Sequence, residues 1–262
     1  MQARNFAAEQ ARIFLQRLAN GMKVLLTRPK EDSESLAALL KARGIKSLIE
    51  PMLTIYPRTN VRLLIDDIQA LIFTSANGVR SLAKATSERD LPVYAVGNTT
   101  ADVARALGFK KVHSAAGDTR ALADLVMDCV DPRAGTLLHA AGKRVMGDLA
   151  IQLTDRGYDI TCATLYDAMP AERISPTVIE AFKKREIIAV LFFSPRTAAA
   201  FVRLASEAKL TVHCERAFAL CLSPAVAREA GAIRWQELSV STRPNIDSLL
   251  RDLDDVMNRA GK

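Results

Sequence analysis

The sequence predicts an α/β protein built from two similar parallel-sheet domains, the first discontinuous in the chain, joined by a two-stranded β-ladder linker. Three observations predict it. From Lys23 onward, short aliphatic runs alternate with stretches of helical periodicity, the pattern of parallel strands covered by helices on both faces. Two strand-to-helix turns recur in both halves of the chain. A third repeated unit also occurs twice, but out of order.

Taken in order, residues 1–21 read as an N-terminal extension, an amphipathic stretch ended by Asn20-Gly21. Strands are then expected at 23–27, 46–50, 70–74, 93–96, 111–113, 136–139, 159–163, 188–193, 217–222 and 233–235. Helices are expected at 31–43, 77–86, 99–107, 119–129, 143–156, 175–185, 196–206, 224–230 and 246–257. Gly44, Gly108, Gly157 and Gly231 each follow a helical stretch, where a left-handed residue commonly ends a helix.

The repeat orders these elements into domains. Ala70-Leu-Ile-Phe-Thr-Ser75 matches Ala189-Val-Leu-Phe-Phe-Ser194, each a buried strand that ends in serine and enters a helix. Val93-Tyr-Ala-Val-Gly97 matches Phe218-Ala-Leu-Cys-Leu-Ser223, each leading a helix that closes on glycine. The third pair is permuted: Lys23-Val-Leu-Leu-Thr-Arg28-Pro opens the chain, whereas Thr136-Leu-Leu-His-Ala-Ala-Gly142-Lys143 follows its own partners. The N-terminal half thus holds one copy too many and the C-terminal half one too few. The economical solution moves 23–50 into the C-terminal sheet. Domain one is then 22–53 plus 170–262 and domain two 57–164, with 54–56 and 165–169 as adjacent linker strands flanked by Pro51, Pro57 and Pro170.

Composition narrows the function. The 262 residues are 49% hydrophobic and 25% charged, enough to bury a core without disulfide or metal. The longest apolar runs are too short to cross a bilayer, and no secretory pattern opens the chain, so a cytoplasmic protein without a membrane partner is expected. Cys129, Cys162, Cys214 and Cys221 are scattered and form no metal-ligand spacing; they are expected to be reduced thiols, mostly in the core. The net charge of +7 suits an anionic partner. Aromatics are only 5% and basic residues stand singly, which favours a small acidic ligand over nucleic acid.

In open parallel sheets, ligands bind beyond the carboxyl ends of the strands. Six turns lie there: 27–29, 74–77, 97–100, 140–143, 194–197 and 223–224. Each places hydroxyls, small residues or proline at a helix start. Such residues are ordinary caps, and the same helix ends offer N–H donors to carboxylates. If all six line one cleft, they suit a ligand with many carboxylates. No dinucleotide fingerprint, phosphate-binding P-loop or nucleophile elbow occurs. Of the histidines, His113 and His213 lie near strand ends or loops, and His139 fits a satisfied structural role. Tyr166, on the second crossing between the domains, is either a phenol aimed at chemistry or a packing aromatic with its hydroxyl in water. An enzyme, a non-catalytic two-lobed cytoplasmic binding protein for a small polycarboxylate, and a regulatory module all remain open on these residues.

The segments Val24-Leu-Leu-Thr-Arg-Pro29, Ile72-Phe-Thr-Ser-Ala-Asn-Gly-Val79, Ala95-Val-Gly-Asn-Thr-Thr-Ala101, Leu165-Tyr166 and Phe192-Phe-Ser-Pro-Arg-Thr-Ala198 occur in the order and spacing of one family. From about Met22 to the C-terminus, the chain resembles uroporphyrinogen-III synthase. The resemblance implies two flavodoxin-like α/β domains on a two-stranded ladder, acting as a monomer in heme biosynthesis. It implies a lyase that cyclises hydroxymethylbilane to uroporphyrinogen III, inverting ring D through a spiro intermediate and using no cofactor. It further implies that Tyr166 assists departure of the substrate hydroxyl. Arg28, Ser75, Asn98, Thr100, Ser194 and Ser223, with nearby backbone N–H groups, would hold the carboxylates. The chain departs from the family's hydroxyl-rich last turn at Ser223-Pro224-Ala225-Val226, which leaves backbone contacts to serve there.

Overall fold

The computed structural model describes residues 21–59, 61, 63–143 and 148–259. Residues 1–20 of the expected extension, and 144–147 of the helix expected at 143–156, lie outside the described residues. The described residues fall into two compact units, one within 1–54 and 170–262 and the other within 55–169.

Unit 1 opens with β1 (Lys23–Leu26), α1 (Lys30–Ala42) and β2 (Lys46–Ile49). It resumes with α6 (Pro176–Lys183), β9 (Ile187–Phe192), α7 (Pro195–Glu207), the short α8 (Thr211–Cys214), β10 (Phe218–Cys221), α9 (Pro224–Ala230), β11 (Glu237–Val240) and α10 (Ile246–Arg259). Its sheet runs β11-β10-β9-β1-β2, every pair parallel. β1 therefore sits inside a sheet in which three of the other four strands lie more than 160 residues downstream, with Leu26 opposite Leu191 on one side and Ile49 on the other. Numbered along the chain, the order is 2-1-3-4-5, the flavodoxin arrangement.

Unit 2 contains β4 (Ile68–Phe73), α2 (Ala76–Ala85), β5 (Val93–Ala95), α3 (Asn98–Ala106), β6 (Val112–Ser114), α4 (Thr119–Cys129), β7 (Thr136–Gly142), α5 (Asp148–Thr154) and β8 (Ile160–Pro170). With β3 (Leu53–Pro57) at its edge, the sheet runs β3-β8-β7-β4-β5-β6. Counted from β7, its five parallel strands again give 2-1-3-4-5, so the two units share one topology with shifted starting points. β3 runs antiparallel to β8: Arg58 N–H donates to Leu165 O and Ala171 N–H to Met52 O, which forms the two-stranded ladder.

Both sheets are buried on both faces, because successive side chains of a strand alternate between them. In β9 and β10, Val190, Phe192, Ala219 and Cys221 enter one core and Ala189, Leu191, Phe218 and Leu220 the other. In β4, Leu71 and Phe73 face one layer while Ala70 and Ile72 face its opposite.

Several expectations differ from the structure. No strand forms at 233–235; β11 starts at Glu237. Trp235 instead packs against Phe192 and Phe201, and its indole N–H donates to Ala230 O, which pins the chain to the end of α9 before the sheet resumes. Gly231 ends α9 at φ −72°, so its glycine is not required by a left-handed turn, whereas Gly44, Gly108 and Gly157 do adopt φ near +75° to +91°. The linker strand expected at 165–169 is not separate from the strand at 159–163: both belong to β8, eleven residues long. Among the cysteines, only Cys214 and Cys221 are buried, and burial pushes both thiols up to about 12. Cys129 is exposed and Cys162 half-buried.

Candidate active site

The residues singled out in the sequence gather at the carboxyl edges of the two sheets, three in unit 1 and four in unit 2. In unit 1, β1, β9 and β10 are neighbours, so their C-terminal turns lie side by side. Thr27, fully buried, donates its hydroxyl to Leu191 O and ties the end of β1 to β9. Arg28 follows. Its guanidinium stacks 4.7 Å over the Phe193 ring and donates to Asp32 Oδ2 at 2.9 Å, so its charge is already engaged within unit 1. Ser194 caps α7 by accepting from Thr197 N–H at 3.2 Å, and Ser223 caps α9 by accepting from Val226 N–H at 3.4 Å. Pro195 and Pro224 hold the first helical positions, where a missing N–H costs nothing. Each serine takes one first-turn N–H, and a helix start leaves further donors with no acceptor in the helix.

In unit 2, β7, β4 and β5 are neighbours. Ser75 caps α2 by accepting from Asn77 N–H at 3.2 Å. Asn98, exposed at the start of α3, accepts a hydrogen bond at 2.8 Å from the Ser114 hydroxyl, which itself accepts from Ala116 N–H. Thr100 is buried in the first turn of α3, with its N–H on Gly97 O. The expected capping serines are thus in place, while Thr100 turns inward and Asn98 braces a neighbouring loop.

Tyr166 lies in β8 and is 7% exposed, packed in the core layer that also holds Phe73, Leu138 and Leu165. The ring rests on Gly142 at the end of β7: a Cβ there would lie 2.7 Å from Tyr166 Cε2. The backbone around it is held on both sides, by Lys143 N–H to Tyr166 O at 3.3 Å and by Arg58 N–H to Leu165 O at 2.8 Å.

Two pairings escaped the sequence reading, Arg58 with Asp167 and Glu50 with Ser175, while His139 has the satisfied structural role expected of it, on partners the sequence did not name. The Arg58 guanidinium makes two bonds to Asp167, at 2.8 and 2.9 Å. That pairing holds the Asp167 carboxyl below its usual range, chiefly through the hydrogen bond. His139 is 1% exposed; its Nε2 shares a hydrogen bond of 3.1 Å with Thr74, and burial pushes its imidazole down to about 4. Its Nδ1 faces the Cys162 thiol at 3.8 Å. In unit 1, Glu50 accepts from both the N–H and the hydroxyl of Ser175, which anchors α6 to the end of β2. The only signal for the first pair was an arginine after Pro57 and an aspartate after Tyr166, on strands expected to be adjacent. Among the described residues, no group of three or more His, Cys, Asp or Glu could hold a metal ion, and no helix is long and apolar enough to cross a membrane.

This arrangement has counterparts in known proteins. The crystal structure of uroporphyrinogen-III synthetase from Helicobacter pylori 26695 superposes with a TM-score of 0.61 at 17% identity, covering 90% of this chain and 99% of that one. A mutant uroporphyrinogen III synthase of the extremely thermophilic bacterium Thermus thermophilus gives 0.53 at 19% identity, covering 91% and 99%. At these identities the likeness is one of fold. A protein of Methanocaldococcus jannaschii, provisionally described as a uroporphyrinogen-III synthase, is 36% identical over 69 residues, or 26% of this chain and 29% of that protein's length. The family profile described as Uroporphyrinogen-III synthase HemD matches residues 34–251, most of both units. With its motifs at the carboxyl edges of two like-wound sheets, the chain belongs to the uroporphyrinogen-III synthase family.

Proposed function

We propose that this protein is a lyase that closes hydroxymethylbilane to uroporphyrinogen III, with inversion of ring D and loss of one water. Family membership across residues 34–251 is the observation that carries the reading. The substrate is a linear tetrapyrrole with eight carboxylates. Departure of its terminal hydroxyl leaves an electrophilic azafulvene. Ring D attacks through its substituted carbon to give a spiro intermediate, which fragments and recloses with that ring turned over; the proton on the newly joined carbon is then lost. The unassisted closure yields the uninverted isomer, so the protein's task is to orient a flexible chain. Turns bearing Ser75, Ser194 and Ser223 supply hydroxyls and helix-end N–H groups for carboxylates, with Asn98 and Thr100 beside them and Arg28, oriented by Asp32 and Phe193, as a further partner. Tyr166 donates a hydrogen bond to the leaving hydroxyl. The reading takes the protein as a cytoplasmic monomer, with 22–53 plus 170–262 and 57–164 as its domains. It requires neither cofactor, nucleic acid nor membrane.

The test supplies hydroxymethylbilane, oxidises the product and separates the porphyrin isomers. Type III should predominate with the protein and type I without it. Type I alone at high protein concentration would refute the assignment.

A further inference from the structure

Tyr166 reaches its position through a defect in the sheet. The β7–β8 register pairs Ala141 with Thr164 but Gly142 with Tyr166, which leaves Leu165 as an extra residue in β8. A regular strand points successive residues to opposite faces. Here Leu165 and Tyr166 are both buried, at 2% and 7% exposure, and enter the same core layer. Bulges of this kind re-aim a side chain and recur beside active sites.

The bulge turns the phenol onto Gly142. A methyl at that position would lie 2.7, 3.0 and 3.2 Å from Tyr166 Cε2, Cζ and Cδ2, closer than packed carbons approach. The backbone of Gly142 lies outside the left-handed region, so the ring above it, and not conformational freedom, excludes a side chain. Three neighbouring contacts then fix the strand. Lys143 N–H holds Tyr166 O, Arg58 N–H holds Leu165 O, and the Arg58 guanidinium grips Asp167 through both carboxylate oxygens. A two-pronged Arg–carboxylate pair constrains direction as well as distance.

We propose that Gly142 and the Arg58–Asp167 pair are positioning residues for Tyr166, fixing where its phenol meets the departing hydroxyl. The proposal rests on the reading of Tyr166 as the group that assists that departure.

The experiment compares Gly142→Ala, Arg58→Ala and Tyr166→Phe, singly and combined, by kcat, KM and the fraction of type III product, with circular dichroism and melting temperature recorded for each. Small displacements of a reacting group are costly, so Gly142→Ala should lower kcat about tenfold or more while KM moves less than about twofold. Arg58→Ala leaves the backbone bond intact and should lower kcat about threefold. In the Tyr166→Phe background neither should slow turnover further, because groups acting through one residue are not additive. Equal fold losses in both backgrounds, or undiminished kcat in the single variants beside a slow Tyr166→Phe, overturns the positioning role alone. Normal kcat for Tyr166→Phe overturns the reading of Tyr166 and this role with it. If Gly142→Ala fails to fold, Arg58→Ala decides, since both partners of its ion pair are partly exposed, at 37% and 33%.

Discussion

Tyr166 and His139 show how residue-scale chemistry depends on neighbours that the sequence leaves unnamed. Tyr166→Phe keeps the ring on Gly142 and deletes only the hydroxyl, so it should lower kcat at least about tenfold with KM nearly unchanged. Steady-state kinetics showing a raised KM with kcat unchanged would instead make Tyr166 a binding residue. His139 is held neutral by burial. The unfolded chain takes up this proton near pH 6.5 and the native one only near 4, so stability is full above 6.5 and falls as the pH drops toward 4. The loss is about 3 kcal/mol at most. Urea denaturation at about pH 7 and about pH 4.5 should show a larger drop for the wild type than for His139→Gln; equal drops would place the acid sensitivity elsewhere. The identity of His139 was plain in the sequence, but its bond to Thr74 was not, because His139 lies in β7 and Thr74 just beyond the paired β4, 65 residues away.

At the scale of elements, the helix starts were the most legible feature. Ser75, Ser194 and Ser223 follow buried runs and precede helical periodicity, and each accepts the N–H bond that its type predicts. Ser194→Ala should cost about 1 kcal/mol of stability as a lost cap. If Ser194 also holds a substrate carboxylate, KM should rise severalfold with kcat retained. Thermal melts and kinetics together separate the two roles, and an unchanged KM would leave Ser194 a cap only. The misplaced strand at 233–235 shows the limit of local reading. Ile233 and Trp235 carry strand-forming side chains, yet the Phe192–Phe201 layer and Ala230 O claim the indole first. Aromatic burial of this size outweighs strand propensity. Gly231 is a similar case, since a helix-ending glycine fits a left-handed turn and the chain there stays right-handed.

For the whole molecule, the displaced position of β1 has the largest consequence. It is flanked by β2 and β9, and its own Val24, Leu25 and Leu26 are fully buried. A chain beginning at Ile55 lacks β1, α1 and β2 and the first two residues of the edge strand β3, so unit 1 should lose a central strand and an edge strand and fail to fold, while 55–169 retains its five parallel strands. Hydrogen exchange on such a truncation should show protection confined to 55–169; protection across 187–192 would contradict the shared core. By itself the sequence determined the alternation of strands and helices, the repeat, the out-of-order unit and the turns that cap helices at the strand ends. These are written in period, spacing and residue type, which local physics reads directly. Only the tertiary structure decided the bulge at Leu165, the seat of Tyr166 on Gly142, the two-bond grip of Arg58 on Asp167 and the burial of His139. Each depends on strand register and on packing between segments distant in the chain, and a single slip of pairing would turn those side chains to another face.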